Sequence, residues 1–257
     1  MRLSLCLLAC AAAPALSACV MLNGESAKAP DQIVADAQAA VRAVQSYHVS
    51  LDVRAGRDDA TFDLDVAGPG LVSGHMNIGG SSGDIVVASD QVYLRGADLV
   101  ATLAGSPASP VSGGWVETSG SAVPDVVKAV TPFIDPTTVA DCVLGQHGSL
   151  TATRGTYAGE SVVELHDAGD VPGTAPATLA VAATGRPYPL HLVVTGPTQL
   201  GTVALPDACD AGPAAATATA SATSSAQTVD ATFDSWGDPM TVTPPTGAVA
   251  SAPFGSA

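Results

Sequence analysis

Hydrophobic residues along this chain change period several times, and each change marks an element. Ile33, Val34, Ala37, Val41 and Val44 recur at the spacing of one helical face, with Asp31 placed to cap its start, so a helix is predicted from about Pro30 to Gln45. From Ser46 the period drops to two. Tyr47, Val49, Leu51 and Val53 alternate with His48, Ser50, Asp52 and Arg54, the pattern of a half-buried strand whose successive side chains point to opposite faces. After a charged turn at Gly56 to Asp59 the alternation resumes, with Phe62, Leu64 and Val66 on one side and Asp63 and Asp65 on the other, until Gly68-Pro69-Gly70 ends it. Leu71 to Ile78, Asp84 to Ser89 and Gln91 to Arg95 continue the ladder, separated by Gly79 to Gly83 and by a tight turn at Ser89-Asp90. Short strands in such succession predict an antiparallel meander.

Ala97 to Gly114 is a looser segment leading to a strand around Trp115-Val116-Glu117. Helical spacing then returns. Pro124, Val126, Val127, Val130, Phe133 and Ile134 form an apolar stripe from about Val123 to Ile134, and Pro136 opens a second short helix carrying Val139, Cys142 and Val143. These helices are expected to cover a sheet, because strands flank them on both sides in sequence. The second group of strands comprises Leu150 to Tyr157, Glu160 to His166, Ala177 to Thr184 and Tyr188 to Thr195, each bounded by Gly or Pro. The stretch from about 207 to 227 is almost wholly Ala, Thr, Ser, Gly and Pro and cannot bury enough apolar area to offset ordering, so it reads as a disordered loop. Strand character resumes at Thr228 to Phe233 and at Met240 to Val242, and residues 244–257 read as a fraying tail.

The start of the chain changes this picture from a free domain to a tethered one. Arg2 is followed by Leu3 to Leu16, an apolar run without charge that is too short to span a hydrocarbon core needing about 20 residues. It ends in Leu16-Ser17-Ala18-Cys19, which is similar to the lipobox of bacterial lipoproteins. That similarity implies cleavage after residue 18, a diacylglycerol thioether on Cys19 with further acylation of the new N-terminus, and a linker over 19–29 leading to the folded part. Two or more acyl chains give a stable anchor where one gives marginal binding. Lysine and arginine total 9 against 24 acidic residues, and loss of Arg2 moves the net charge from −15 to −16. The sparse, scattered cations argue against nucleic acid as a partner, since phosphate binding rests on clustered Lys and Arg. Of five cysteines, Cys6 and Cys10 leave with the leader and Cys19 takes lipid, so Cys142 and Cys209 remain. In an exported chain an even pair suggests a disulfide, worth roughly 4 kcal/mol by loop-closure entropy, with two separate buried thiols as the alternative.

Local wording and element order together carry a family resemblance. Val44-Gln45-Ser46-Tyr47-His48-Val49 closes the first helix, Asp90-Gln91-Val92-Tyr93-Leu94 and Trp115 lie in the meander, and Pro187-Tyr188-Pro189-Leu190 with Gly196-Pro197 follows. The chain then ends its last long strand in Phe233-Asp234-Ser235-Trp236-Gly237-Asp238-Pro239. In this order the sequence resembles the actinobacterial LppX/LprG family of envelope lipoproteins, relatives of the LolA and LolB carriers. The resemblance implies an α+β fold, a curved antiparallel β half-barrel over 30–206 and 228–243 with helices covering the concave face. Between the layers it implies an apolar cavity for the acyl chains of a lipid or lipoglycan, on the outer face of the cell membrane, with an envelope transporter as a further partner.

The candidate lining residues are the inward apolar positions: Val49, Leu51, Val53, Phe62, Leu64 and Val66 on the sheet, with Val130, Phe133 and Ile134 on the cover. Aromatic residues make up only 4% of the chain, so few bulky side chains are on hand to fill a wide curved sheet, and packed interiors tolerate few voids. The same nine residues would be ordinary core in an envelope scaffold protein without a lipid ligand. Other chemistry finds little support. Gly79-Gly80-Ser81-Ser82-Gly83 matches the G-x-S-x-G elbow formally, but that motif needs a helix after the serine and a strand follows here. His48, His75, His147, His166 and His191 show no paired metal-ligand spacing, and Asp63 and Asp65, like Asp58-Asp59, read as solvated carboxylates. The sequence thus points to no enzyme, no metal and no cofactor.

Overall fold

The alternating segments pair as their polarity demands, and the helical ones lie across them. The computed structural model describes residues 24–55, 58–89, 91–104, 114–119, 130–171, 174–196 and 227–250. After a 3-10 turn at Glu25–Ala27 come α1 (Pro30–Arg42), β1 (Tyr47–Ala55), β2 (Asp58–Gly68), β3 (Leu71–Ile78), β4 (Ser81–Ala88), β5 (Gln91–Arg95), α2 (Ala97–Ala104) and β6 (Val116–Ser119). A 3-10 turn at Thr131–Phe133, the short α3 (Pro136–Thr138) and a π turn at Val139–Val143 precede β7 (Leu150–Tyr157), β8 (Glu160–Asp167), β9 (Ala177–Ala182) and β10 (Pro189–Gly196). The last strands are β11 (Gln227–Asp234) and β12 (Val249–Ala250).

Among the described residues, twelve strands form one open, curled sheet in the order β12-β6-β5-β4-β3-β2-β1-β11-β10-β9-β8-β7. Every pairing is antiparallel except the two-residue contact of β12 with β6. Two meanders, β1 to β6 and β7 to β10, are therefore joined by β11, which hydrogen-bonds β1 on one side and β10 on the other. This is the expected α+β half-barrel. Val229, Ala231 and Phe233 of β11 face the same side as Val49 and Leu51 of β1 and are at most 1% exposed. Onto that side pack Ile33, Val34, Ala37 and Val41 of α1, Leu99, Val100 and Leu103 of α2, and Val130, Phe133, Val139 and Leu144 of the irregular segment.

Several local readings are corrected. The first helix ends at Arg42 rather than Gln45, because Ser46 is already committed to a different contact: its hydroxyl donates to Asp238 O at 2.7 Å and its carbonyl accepts from Gly237 N at 2.8 Å. Asp31 does not cap it; Ala29 stands at the cap and Pro30 at the first helical position, with Asp31 in the first turn. The looser segment contains a helix, α2, whose Leu99, Val100 and Leu103 are buried. It packs so closely on β4 that a Cβ on Gly83 would stand 2.6 Å from a Leu99 methyl and 2.2 Å from Arg95 O. Gly79 to Gly83 is not all turn, since β4 begins at Ser81.

Of the helix expected from Val123 to Ile134, residues 123–129 lie outside the described residues, and the rest is a turn and a 3-10 segment. Pro132 has no N–H to give an α-helical ladder there. Met240 to Val242 has no strand pairing, and the chain returns beyond Pro244 to pair Val249 with Val116. The Ala/Thr/Ser stretch, with Cys209, lies outside the described residues, as does Cys19.

Because β11 joins both meanders, its inward ring is expected to be among the costliest to truncate. Phe233→Ala should lower unfolding free energy by about 3–5 kcal/mol, read from urea denaturation; a loss near that of a surface change would contradict the joining role.

Candidate functional site

The inner face of β1 and β2 brings six of the nine candidate lining residues side by side. In register, Val49 stands opposite Leu64, Leu51 opposite Phe62, and Tyr47 opposite Val66. The cover supplies Val130 and Phe133, both at most 5% exposed, and Ile134 beside them. All nine belong to one apolar cluster, in which Val53 and Ile134 are the partly buried members. The structure thus unites the predicted residues on one layer contact, and it packs them against one another.

Aromatic rings gather at one end of this contact. Trp236 stacks on Tyr47 at 4.6 Å between centroids, on Tyr188 at 5.2 Å and on Phe233 at 5.7 Å, and Phe133 lies 6.5 Å from Phe233. Both polar tips are satisfied: Tyr47 Oη donates to Phe133 O at 2.7 Å, and Trp236 Nε1 to Pro189 O at 3.0 Å. The first of these bonds ties the cover to the sheet. Within the cover, Gln38 Nε2 donates to Ala140 O at 3.0 Å and Arg42 pairs with Asp141, joining α1 to the π turn. Away from this end the inner face is aliphatic except for Phe62, built from residues such as Leu64, Val72, Met76 and Leu94. Sequence periodicity placed Tyr47 inward but offered no signal that Trp236, in a turn after β11, would stack on it.

The outer face is polar and largely self-paired. His48 lies 2.9 Å from Asp65, His75 3.2 Å from Asp84 and His191 2.8 Å from Asp230, each across neighbouring strands. Burial raises the Asp84 carboxyl, but hydrogen bonds from Arg95 and His75 outweigh it and hold the group below its ordinary range. A depression of about 420 Å3, lined by Ser50, Asp52, Thr61, Asp63, His75 and Asp230, opens on this polar face and not between the layers. Among the described residues no three His, Cys, Asp or Glu side chains are grouped to hold a metal ion. Ser81 opens a strand, and its Oγ meets Thr102 Oγ1 at 2.8 Å. That is not the strand-to-helix geometry of a nucleophile elbow. Cys142 sits half-buried in the π turn.

The sequence matches no protein-family model and no curated protein. Solved structures do match. LprF from Mycobacterium bovis superposes with a TM-score of 0.50 at 16% identity, over 85% of this chain and 97% of that one. The lipoprotein LppX from Mycobacterium tuberculosis gives 0.51 at 14% identity, over 84% and 100%. The fold is that of the LppX/LprG-type lipoproteins. An LppX-like chain at this identity shares backbone architecture, so the chemistry of its layer contact has to be read from its own residues.

Tyr47 offers a test of how tightly the cover is held. Burial pushes its phenol above the ordinary value, with the Asp135 carboxylate adding to the shift. The unfolded chain ionises this group near pH 10 while the folded one keeps its proton, so the unfolded state binds fewer protons and stability falls as pH rises past about 10. The slope is at most about 1.4 kcal/mol per pH unit. Tyr47→Phe should lose about 1 kcal/mol at neutral pH with the hydrogen bond and show a shallower alkaline decline than the parent. Parallel declines in urea midpoints between about pH 9 and 11 would show that Tyr47 is not held as described.

Proposed function

We propose that this protein is an exported, lipid-anchored lipoprotein that takes the acyl chains of a lipid or lipoglycan between its sheet and its helical cover and helps carry them through the cell envelope. The observation that carries this reading is the layer contact itself: a wide curled sheet, aliphatic over most of its inner face, closed by α1, α2 and the irregular 130–144 segment. Elements with few hydrogen bonds of their own open at less cost than regular helices do, and here the irregular 130–144 segment is bonded to the sheet by Tyr47 and to α1 by Gln38 and Arg42. An acyl chain of about 16 carbons gains about 12 kcal/mol by leaving water, at 0.8 kcal/mol per methylene. A carrier must match that figure to compete with a bilayer. Head groups would stay at the mouth, and an envelope transporter would supply or receive the lipid.

Cys19 is the acylated residue in this reading, and it makes the membrane the standing partner. Cys142 and Cys209 form a disulfide that ties the cover to the segment between β10 and β11. A second reading, an envelope scaffold lipoprotein with a filled core, is favoured by the tight burial of the candidate lining residues, with Val49 and Val66 fully buried.

The two readings part at Val66. In a carrier, Val66→Trp occupies acyl volume and reduces the lipid seen by native mass spectrometry of the soluble Cys19→Ala chain, with the fold kept. In a filled core it overpacks, lowering stability by about 1–3 kcal/mol with no lipid in either sample, and that result would reject the carrier. The bridge has its own check: both cysteines should resist alkylation in protein from the envelope until a reductant is added, and two freely reactive thiols would exclude it.

A further inference from the structure

The N-terminal end of the folded part is docked, not loose. Gly24 lies so close to the end of β9 that a Cβ there would stand 2.4 Å from Ala183 O, and Glu25 N–H donates to the same oxygen at 3.2 Å. The Glu25 side chain is 91% buried; its carboxylate accepts from Lys28 Nζ at 2.7 Å, and Lys28 also reaches Asp36 of α1 at 2.6 Å. Arg154 of β7 donates to Ser26 O. The chain therefore leaves the fold at one known place, the β9–β10 turn.

Chain geometry then limits how far that place can be from the bilayer. This step rests on the proposed acylation of Cys19. Five chain steps lead from Cys19 to Gly24, and at no more than about 3.6 Å each they reach about 18 Å. The β7–β8 turn shares this end of the sheet, since Ala183 N bonds Ser161 O, whereas the β8–β9 connection around Val171 lies at the other end. The six residues of β9, at about 3.3 Å each, put the two ends about 20 Å apart.

The charges on this end fit the same partner. Lys28 and Arg42 each hold a carboxylate, as do Arg54 and Arg95 elsewhere on the sheet. Arg154 and Arg186 are exposed and pair with none among the described residues; Arg186 donates to Tyr188 Oη at 3.0 Å. Tyr188 stacks on Trp236, and both rings are half-buried at this end, the amphipathic kind of side chain that suits a membrane interface. Glu160, Asp234 and Asp238 are also exposed here, so charge alone would hold the surface weakly and the acyl tether does the holding.

We infer that the β9–β10 end of the sheet, with Arg154, Arg186, Tyr188 and Trp236, is the surface that faces the lipid head groups, and that the Gly24–Lys28 dock sets this orientation. The probe is a photo-activatable phenylalanine derivative placed at Thr184 or at Val171 of the full acylated chain, in vesicles of phosphatidylethanolamine and phosphatidylglycerol. Thr184 should give several-fold more lipid adduct than Val171. Gly24→Val should leave the protein on the vesicles but bring the two positions toward equal yield. Equal or greater adduct at Val171 in vesicle-bound parent protein would overturn the orientation while leaving the anchor intact. If Cys19→Ala floats with vesicles as well as the parent does, the anchor reading falls, and the reach argument falls with it.

Discussion

Two meanders become one sheet here through the backbone of a single strand. β11 uses its N–H and C=O groups on both edges, one row to β1 and the other to β10. Neither meander contains that strand in its own sequence neighbourhood, so the pairing is long-range and its register is decisive. A slip of one residue would turn Val229, Ala231 and Phe233 outward and bring Asp230 and Thr232 into the core. The present register also delivers Trp236, two residues beyond β11, onto Tyr47 at the start of β1. The cover is then fixed relative to this point by the bond from Tyr47 to Phe133.

The two faces of that sheet follow different physics. Inside, aliphatic side chains from both meanders and from α1, α2 and the 130–144 segment share one cluster, and burial alone arranges them. Outside, a chain with 24 acidic and 9 basic residues has to place like charges on adjacent strands. It does so by interleaving His48, His75 and His191 with Asp65, Asp84 and Asp230 across strand boundaries. Exposed pairs of this kind add little stability singly. Their effect is to separate carboxylates that would otherwise face one another.

The anchor, the dock and the sheet form a chain of geometric dependence. An acylated Cys19 without the Gly24 dock would leave the domain free to tumble on its leash, and the dock without an acylated residue would orient nothing. Joined as proposed, they would give the sheet a near end and a far end relative to the bilayer, with the aromatic cluster at the near one. A lipid passing between bilayer and layer contact would then meet Tyr188 and Trp236 early on its route.

Much of this was legible beforehand. Period-two alternation marked β1 and β2 and the faces of their side chains, because each strand carries its pattern locally and the pleat converts it directly into inside and outside. The helical face of α1 was visible for the same reason. Other features had no local signature. α2 is eight residues in an Ala-rich stretch, and it forms where Gly83 lets it sit on β4. The early stop of α1 comes from Ser46 bonding to residues nearly two hundred positions away. β12 exists because β6 offers an edge to pair with. By itself, then, the sequence determined which residues turn inward and the succession of strands and helices, since these depend on local period and composition. Only the tertiary structure decided that β11 joins the meanders, that the predicted lining residues pack together beneath an irregular cover, and that the N-terminus leaves beside β9. Those outcomes depend on contacts between residues far apart in the chain, whose hydrogen bonds and close approaches leave no trace in the order of neighbours.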